Sequence, residues 1–168
     1  RQFCMLILSG FFLALHFASW ITSLEHTSIV SSVVLVTTTP LWVALFSLFI
    51  LNEQLSWKLG LGLAFALIGG LAVAGGQGCQ VIGIQLKCSS SLDLTQGKVF
   101  WGNILALIGA VCAGGYVLAG RSLRRSVSIL TYTFLVYGAA FFFLFIAAIF
   151  TRQQLIGYSG ATTIWLLA

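Results

Sequence analysis

Residues 26–52 read HTSIVSSVVLVTTTPLWVALFSLFILN, and no Asp, Glu, Lys or Arg interrupts them. A helix needs about 20 apolar residues, at 1.5 Å each, to cross the ~30 Å hydrocarbon core of a bilayer. The stretch is longer than that, so it predicts a helix that spans a membrane. Its serines, its threonines and Pro40 are unusual for a helix that only faces lipid.

The same pattern recurs along the chain. Hydrophobic residues make up 60% of its 168 residues and charged residues 7%, whereas a soluble domain carries roughly 25% charged residues. The charges leave uncharged stretches at 2–24, 26–52, 59–86, 99–120 and 126–151. We therefore predict an all-α, polytopic membrane bundle and exclude a water-soluble domain. Its helices are expected at about 3–23, 27–51, 57–75, 99–119 and 129–150.

Both ends of the sequence indicate a piece of a longer protein. The first residue is Arg1 and leads directly into an apolar run that is too long for a signal peptide. A sixth apolar segment begins at about residue 164 and stops at Ala168. We expect a truncated helix there.

Lysine and arginine in the loops predict the orientation, because cytoplasmic loops are enriched in both. Alternating the loops places Arg1, Lys58, Arg121, Arg124 and Arg125 on one side and Lys87, Lys98 and Arg152 on the other. We therefore expect the loop at 121–125 in the cytoplasm and the loop at 77–98 outside. This placement accounts for the net charge of +5 without a nucleic-acid partner.

Polar residues of the first span follow helical spacing. Ser9, His16, Ser19, Trp20 and Ser23 fall on one face, which should contact other helices or a cavity instead of lipid. His16 is the ionisable residue within this face. It can carry a proton in a coupling step, or it can stay neutral and bond to a neighbouring helix, and the sequence leaves both open.

Pro40 lies inside the second span and frees the carbonyl of Val36 from the helical ladder. We expect one helix with a kink, in which the hydroxyls at 37–39 re-satisfy that carbonyl. Such a kink suits a solute pathway or a purely structural bend. Trp42 lies about 15 Å along the helix from Asn52, near the midplane, where anchoring at the interface does not explain it.

Small residues four apart predict close helix packing in two spans. The third span has Gly62, Ala66, Gly70 and Ala74, and the fourth has Gly102, Ala106, Ala110 and Gly114. Ser56 is the expected N-cap of the third span.

The cysteines fall into two classes. Cys4 and Cys112 lie within spans, where a thiol packs like a small apolar side chain. Cys79 and Cys88 share the outer loop, which we expect to be flexible and not a domain. An exported loop meets oxidising conditions, so either a disulfide between them or two free thiols fits the sequence.

The segment from Thr27 through Pro40, Glu53 and Ser56 to Gly70 resembles the EamA-like branch of the bacterial drug/metabolite transporters. The resemblance lies in a Ser-rich helix, a proline followed by apolar residues, a Glu-x-Leu-Ser turn and a Gly-bearing helix. It implies ten helices in two inverted five-helix repeats. The predicted spans would be helices three to seven. Residues 1–76 would then end the first repeat, 77–98 would link the repeats, and 99–168 would begin the second.

That resemblance implies a multi-pass transporter or exporter of a small metabolite, such as an amino acid, in the bacterial inner membrane. Its partners would be the solute and the lipid bilayer, with no cofactor and no metal, and a homodimer stays open. By polarity and depth, the candidates for lining its cavity are His16, Trp20, Thr38, Trp42, Asn103 and Tyr116. Glu53 either joins a cytoplasmic gate or organises the turn before the third span.

Two other classes compete with a transporter. An enzyme needs a nucleophile with its base, paired carboxylates or metal ligands, and the predicted spans hold no Asp or Glu, so we expect no catalytic residues. A structural or receptor-like bundle fits the small-residue ladders but leaves the polar faces without use. A transporter should enclose a polar cavity between its first, second and fourth spans.

Overall fold

A computed structural model describes residues 2–54, 56–76, 79–82, 85–88, 97–124 and 127–152. Its elements in chain order are α1 (Gln2–Leu24), α2 (Ile29–Val36), α3 (Thr39–Leu51), α4 (Trp57–Gly76), β1 (Cys79–Ile82), β2 (Gln85–Cys88), α5 (Gly97–Leu123) and α6 (Ile129–Phe150). Within the described residues, four segments are long and apolar enough to cross a membrane: Gln2–Leu24, Ile29–Leu51, Gly97–Arg121 and Ile129–Phe150. α4 is a further apolar helix. The chain is a multi-pass membrane protein of helices, and the sixth apolar segment lies outside the described residues.

The second span is not one kinked helix, as the sequence indicated, but two helices. α2 ends at Val36 and α3 begins at Thr39, with Pro40 in its first turn. A proline is tolerated there because the amides of a first turn have no helical partner. The Thr39 hydroxyl donates to the Val36 carbonyl over 2.7 Å. A threonine hydroxyl therefore does satisfy the freed carbonyl, as expected, but it does so where one helix ends and the next begins and not within a bent helix.

α5 is the centre of the bundle. α1, α2 and α3 all pack against it, and α6 packs against α1. The small residues of α5 make this possible, since Ala106 and Ala110 have no exposed surface. Where α1, α5 and α6 meet, an apolar core forms from Leu13, Ala14, Leu123, Tyr132, Val136 and Ala140. The packing ladder expected in this span is thus present.

α4 is peripheral, and its small-residue ladder is open at Gly62. It packs mainly against α2. A Cβ added at Gly62 would meet no atom within 4 Å, whereas one at Gly70 would lie 3.3 Å from a Val34 methyl. The spacing of small residues therefore predicted a packing face that is occupied at Gly70 and open at Gly62. The N-cap was correctly placed, because the Leu59 amide donates to the Ser56 hydroxyl over 3.3 Å.

The outer loop is not simply irregular. β1 and β2 form an antiparallel hairpin within it, in the register Cys79↔Cys88, Gln80↔Lys87, Val81↔Leu86 and Ile82↔Gln85. The sequence analysis did not predict this strand pairing. The backbones of Cys79 and Cys88 are opposite each other, while their side chains lie outside the described part of the structure.

Candidate solute site along the central helix

His16 and Trp20 lie together where α1 crosses α5. Their rings are stacked, with centroids 5.8 Å apart and planes at 23°. The His16 Nδ1 atom is 2.8 Å from the carbonyl oxygen of Gly109. A Cβ on Gly109 would lie 3.2 Å from the Ser19 hydroxyl and 3.4 Å from the His16 carbonyl. The glycine lets the two helices approach closely enough for this hydrogen bond.

Asn103 links α5 to α2 and to the turn before α2. Its Oδ1 atom accepts from the hydroxyls of Thr27 and Ser31, each over 2.9 Å. The hydroxyls of Ser23 and Ser32, which join α1 to α2, are 2.5 Å apart, and both residues are fully buried. Sequence reasoning selected the candidates by polarity or depth and could not identify the partners of Asn103, since these are brought together only by the packing of α1, α2 and α5.

Trp42 packs on α5 at Gly114, where a Cβ would lie 3.1 Å from the Trp42 Cβ. Its indole N–H is enclosed and meets no acceptor among the described residues, and the same is true of Trp20. An enclosed, unpaired N–H group costs about 1–3 kcal/mol. Two such donors lie beside α5, with Trp20 at Gly109 and Trp42 at Gly114.

Tyr116 is on the side of α5 that faces α1 and α6. Its backbone carbonyl accepts weakly from the Ser9 hydroxyl over 3.4 Å, and the Tyr132 hydroxyl is 3.0 Å from that Ser9 oxygen. Ser9 is fully buried. Ser9 and Tyr132 therefore bind α1 to α6, a role for which the sequence indicated only the polar face of α1.

Thr38 faces a different space. It lines a cavity of about 290 Å³ at the break between α2 and α3, opposite Leu63, Leu67 and Gly70 of α4. Its own hydroxyl donates to the Leu35 carbonyl over 2.6 Å. This cavity lies outside the junction of α1, α2–α3 and α5 where we expected the polar cavity, and its walls are largely aliphatic.

The structure therefore divides the candidate residues instead of gathering them around one cavity. His16 and Trp20 form one cluster, Asn103 joins a second one with Thr27 and Ser31, and the other three are separate. What the candidates share is partial exposure, which all of them retain: His16, Trp20, Thr38, Trp42, Asn103 and Tyr116. No group of three His, Cys, Asp or Glu side chains suited to a metal ion occurs in the part of the chain that the structure describes.

Glu53 lies at the other end of the bundle from Asn103. Its Oε2 atom is 2.7 Å from Nη1 of Arg121, so the turn after α3 is tied to the last turn of α5. Both side chains are about two-fifths exposed, at 41% for Arg121 and 44% for Glu53. The contact also places the end of α3 and the end of α5 on the same side of the membrane, as alternating spans require.

The fold and these sites define a polytopic helical membrane protein with polar clusters between its spans. A comparison with protein-family models matches residues 1–75 to the EamA-like transporter family. The matching segment covers α1 to α3 and nearly all of α4, so the resemblance seen in the sequence is confirmed for residues 1–75, which are similar to an EamA-like transporter. The family consists of transporters of small solutes and not of enzymes. No curated protein and no solved structure matched the chain.

Proposed function

We propose that the chain belongs to a secondary transporter or exporter that moves a small amphipathic metabolite, such as an amino acid, across the bacterial cytoplasmic membrane. The observation that carries the proposal is the set of partly exposed polar side chains along α5, in a bundle whose first 75 residues match the EamA-like family. Polar side chains within membrane spans are costly and usually mark solute pathways or interhelical bonds. Asn103 makes interhelical bonds, whereas the Trp20 and Trp42 donors are unpaired among the described residues, and these unpaired donors support a solute pathway.

The orientation is part of the same proposal. The loop at 121–125 faces the cytoplasm, and the β1–β2 hairpin faces the periplasm or the cell exterior. The clustering of basic residues in the short loop after α5 supports this sidedness. A single cysteine introduced there, or in the hairpin, in a background without native cysteines, should react with an impermeant thiol reagent only from its own side. Labelling of both from the same side would contradict the orientation.

A structural or receptor-like bundle is the second candidate function. The close contacts of α5 with α1 and α3 at Gly109 and Gly114 favour it, because they resemble permanent packing. The same contacts are compatible with a transporter, in which rigid groups of helices move against each other. The two candidates differ in whether any solute crosses the membrane.

Export from living cells tests the proposal whichever small metabolite is the substrate. Cells that express the complete gene should release one or a few small metabolites faster than cells with an empty vector, and their internal pools should fall. Quantitative metabolite profiles of medium and cytoplasm measure both. Unchanged profiles, with the protein shown to be present in the membrane, would favour the structural bundle. The size of the detergent-purified protein would show in addition whether it is a homodimer.

A further inference from the structure

His16 and Trp20 together offer one hydrogen-bond acceptor and one donor inside the membrane. They are four residues apart on α1, which puts them on the same face of the helix one turn apart. Their stacked rings make a flat aromatic surface. Both residues are partly buried as a whole, while the Nε1 atom of Trp20 is itself enclosed.

The hydrogen bond to Gly109 fixes how His16 is protonated when it is neutral. A backbone carbonyl can only accept, so the Nδ1 atom of His16 must carry the proton in the 2.8 Å contact. A neutral imidazole then has a lone pair on Nε2, which is an acceptor. Within the described residues, the bond to Gly109 is the only hydrogen bond that the His16 ring makes. The structural role of the ring thus uses one nitrogen and leaves the other available.

Trp20 supplies the complementary group. Its Nε1–H can only donate, and it meets no acceptor among the described residues. The unpaired donor carries a free-energy cost in this conformation, which is recovered when an acceptor reaches it. A ligand that displaces the groups enclosing this N–H therefore gains more from it than it would from a donor that is already bonded.

We propose that His16 Nε2 and Trp20 Nε1–H bind the transported solute through a part that carries both a donor and an acceptor. An α-amino acid, a primary amide or a hydroxylated ring has such a part, whereas a hydrocarbon cation or a simple carboxylate does not supply both. The aromatic surface favours solutes with a flat or apolar portion. This inference rests on the proposed transport function and narrows its substrate class.

Paired variants separate binding from structure. His16→Asn keeps a donor near the Nδ1 position for Gly109 and removes Nε2, while His16→Gln places an amide near the Nε2 position. Trp20→Phe keeps an aromatic ring and removes only the N–H. The matched controls are His26→Asn, in the turn after α1, and Trp57→Phe, whose ring is 72% exposed at the start of α4.

The complete protein is reconstituted in vesicles, and the solute concentration that gives half-maximal uptake is measured for amino acids, amides and hydroxylated solutes. Loss of one neutral hydrogen bond should raise this half-maximal concentration about threefold to tenfold in His16→Asn and in Trp20→Phe. The half-maximal concentration should rise less in His16→Gln than in His16→Asn. Both controls should match the wild type.

Equal half-maximal concentrations for the site variants and the controls, with normal wild-type uptake, would overturn this assignment and leave the transport function intact. The melting temperature of the detergent-purified protein gives a second readout, since a bound solute stabilises the folded state. A wild-type protein that neither transports nor is stabilised by any solute with a donor and an acceptor would overturn both proposals. Stabilisation of the wild type that disappears in Trp20→Phe would support the site independently of transport.

Discussion

Gly102 is the residue at which α5 comes closest to the turn between α1 and α2. A Cβ at this position would lie 2.8 Å from the Thr27 nitrogen and 2.9 Å from the His26 carbonyl carbon. These are backbone atoms, so they cannot move aside as the end of a flexible side chain would. Asn103, the next residue, bonds to the same turn. Glycine at 102 is therefore required for the position of the Asn103 cluster.

Gly102→Ala should lower the free energy of unfolding by about 1–3 kcal/mol, because the added methyl group overpacks this contact. The matched control is Gly138→Ala in α6, where a Cβ meets no atom within 4 Å. That change should be neutral or stabilise by up to about 1 kcal/mol, since alanine favours the helix. Thermal unfolding of the purified protein in detergent measures both. Equal losses in the two variants would show that the contact at Gly102 is not present.

At the scale of the element, the break between α2 and α3 depends on threonine hydroxyls as much as on Pro40. Thr37, Thr38 and Thr39 each donate to the carbonyl three residues back, over 2.8, 2.6 and 2.7 Å. Such bonds satisfy carbonyls that the helical ladder leaves open, in a medium that offers no water to replace them. Three consecutive threonines before a proline thus make a helix break stable inside a span.

Thr39→Val should destabilise the protein by about 1 kcal/mol, because it leaves the Val36 carbonyl without the hydroxyl donor at nearly constant side-chain volume. Thr39→Ser keeps the oxygen and should retain most of the stability. Thermal unfolding of the two variants in the same detergent distinguishes the hydroxyl from the methyl group. If Thr39→Ser were the more damaging of the two, the hydrogen bond would not be what holds the break.

The hairpin between α4 and α5 allows a sharper form of the disulfide prediction. Residues paired across antiparallel strands have Cα atoms about 4.5 or 5.5 Å apart, and disulfides need about 4.4–6.8 Å. The register that pairs Cys79 with Cys88 therefore satisfies the requirement in either case. We expect mass spectrometry of the protein, alkylated without reduction, to find the two cysteines linked. Two alkylated thiols in protein taken from an oxidising compartment would refute the link.

At the scale of the whole molecule, the sequence was sufficient for the spans and their polar faces but not for their partners. Hydropathy located the helices, because the bilayer demands long uncharged stretches wherever the chain crosses it. The ladders of small residues in α4 and α5 are similar, but within the described residues only α5 is closely packed by several helices. Small residues permit close packing and do not determine which helix packs against them. The Asn103 cluster and the Glu53–Arg121 ion pair join residues that are far apart in the sequence, and only the fold could reveal them.

For the candidate site, too, the sequence did not predict which residues come together. Polarity and depth selected residues that all stay partly exposed, yet the structure divides them between different faces of α5 and the cavity beside α4. The partner of His16 is a backbone carbonyl, and a pattern of side chains cannot predict such a partner. The unpaired donors of Trp20 and Trp42 are likewise visible only once their surroundings are known.

Solute movement across a membrane that contains only this protein tests the central claim most directly. Vesicles reconstituted with the product of the complete gene are loaded with labelled amino acids and other small amphipathic metabolites, and loss of label is compared with empty vesicles. We predict saturable loss of at least one solute, slowed by an excess of the same unlabelled solute. Equal rates in protein-containing and empty vesicles across the whole panel, with correctly folded protein in the membrane, would contradict the account.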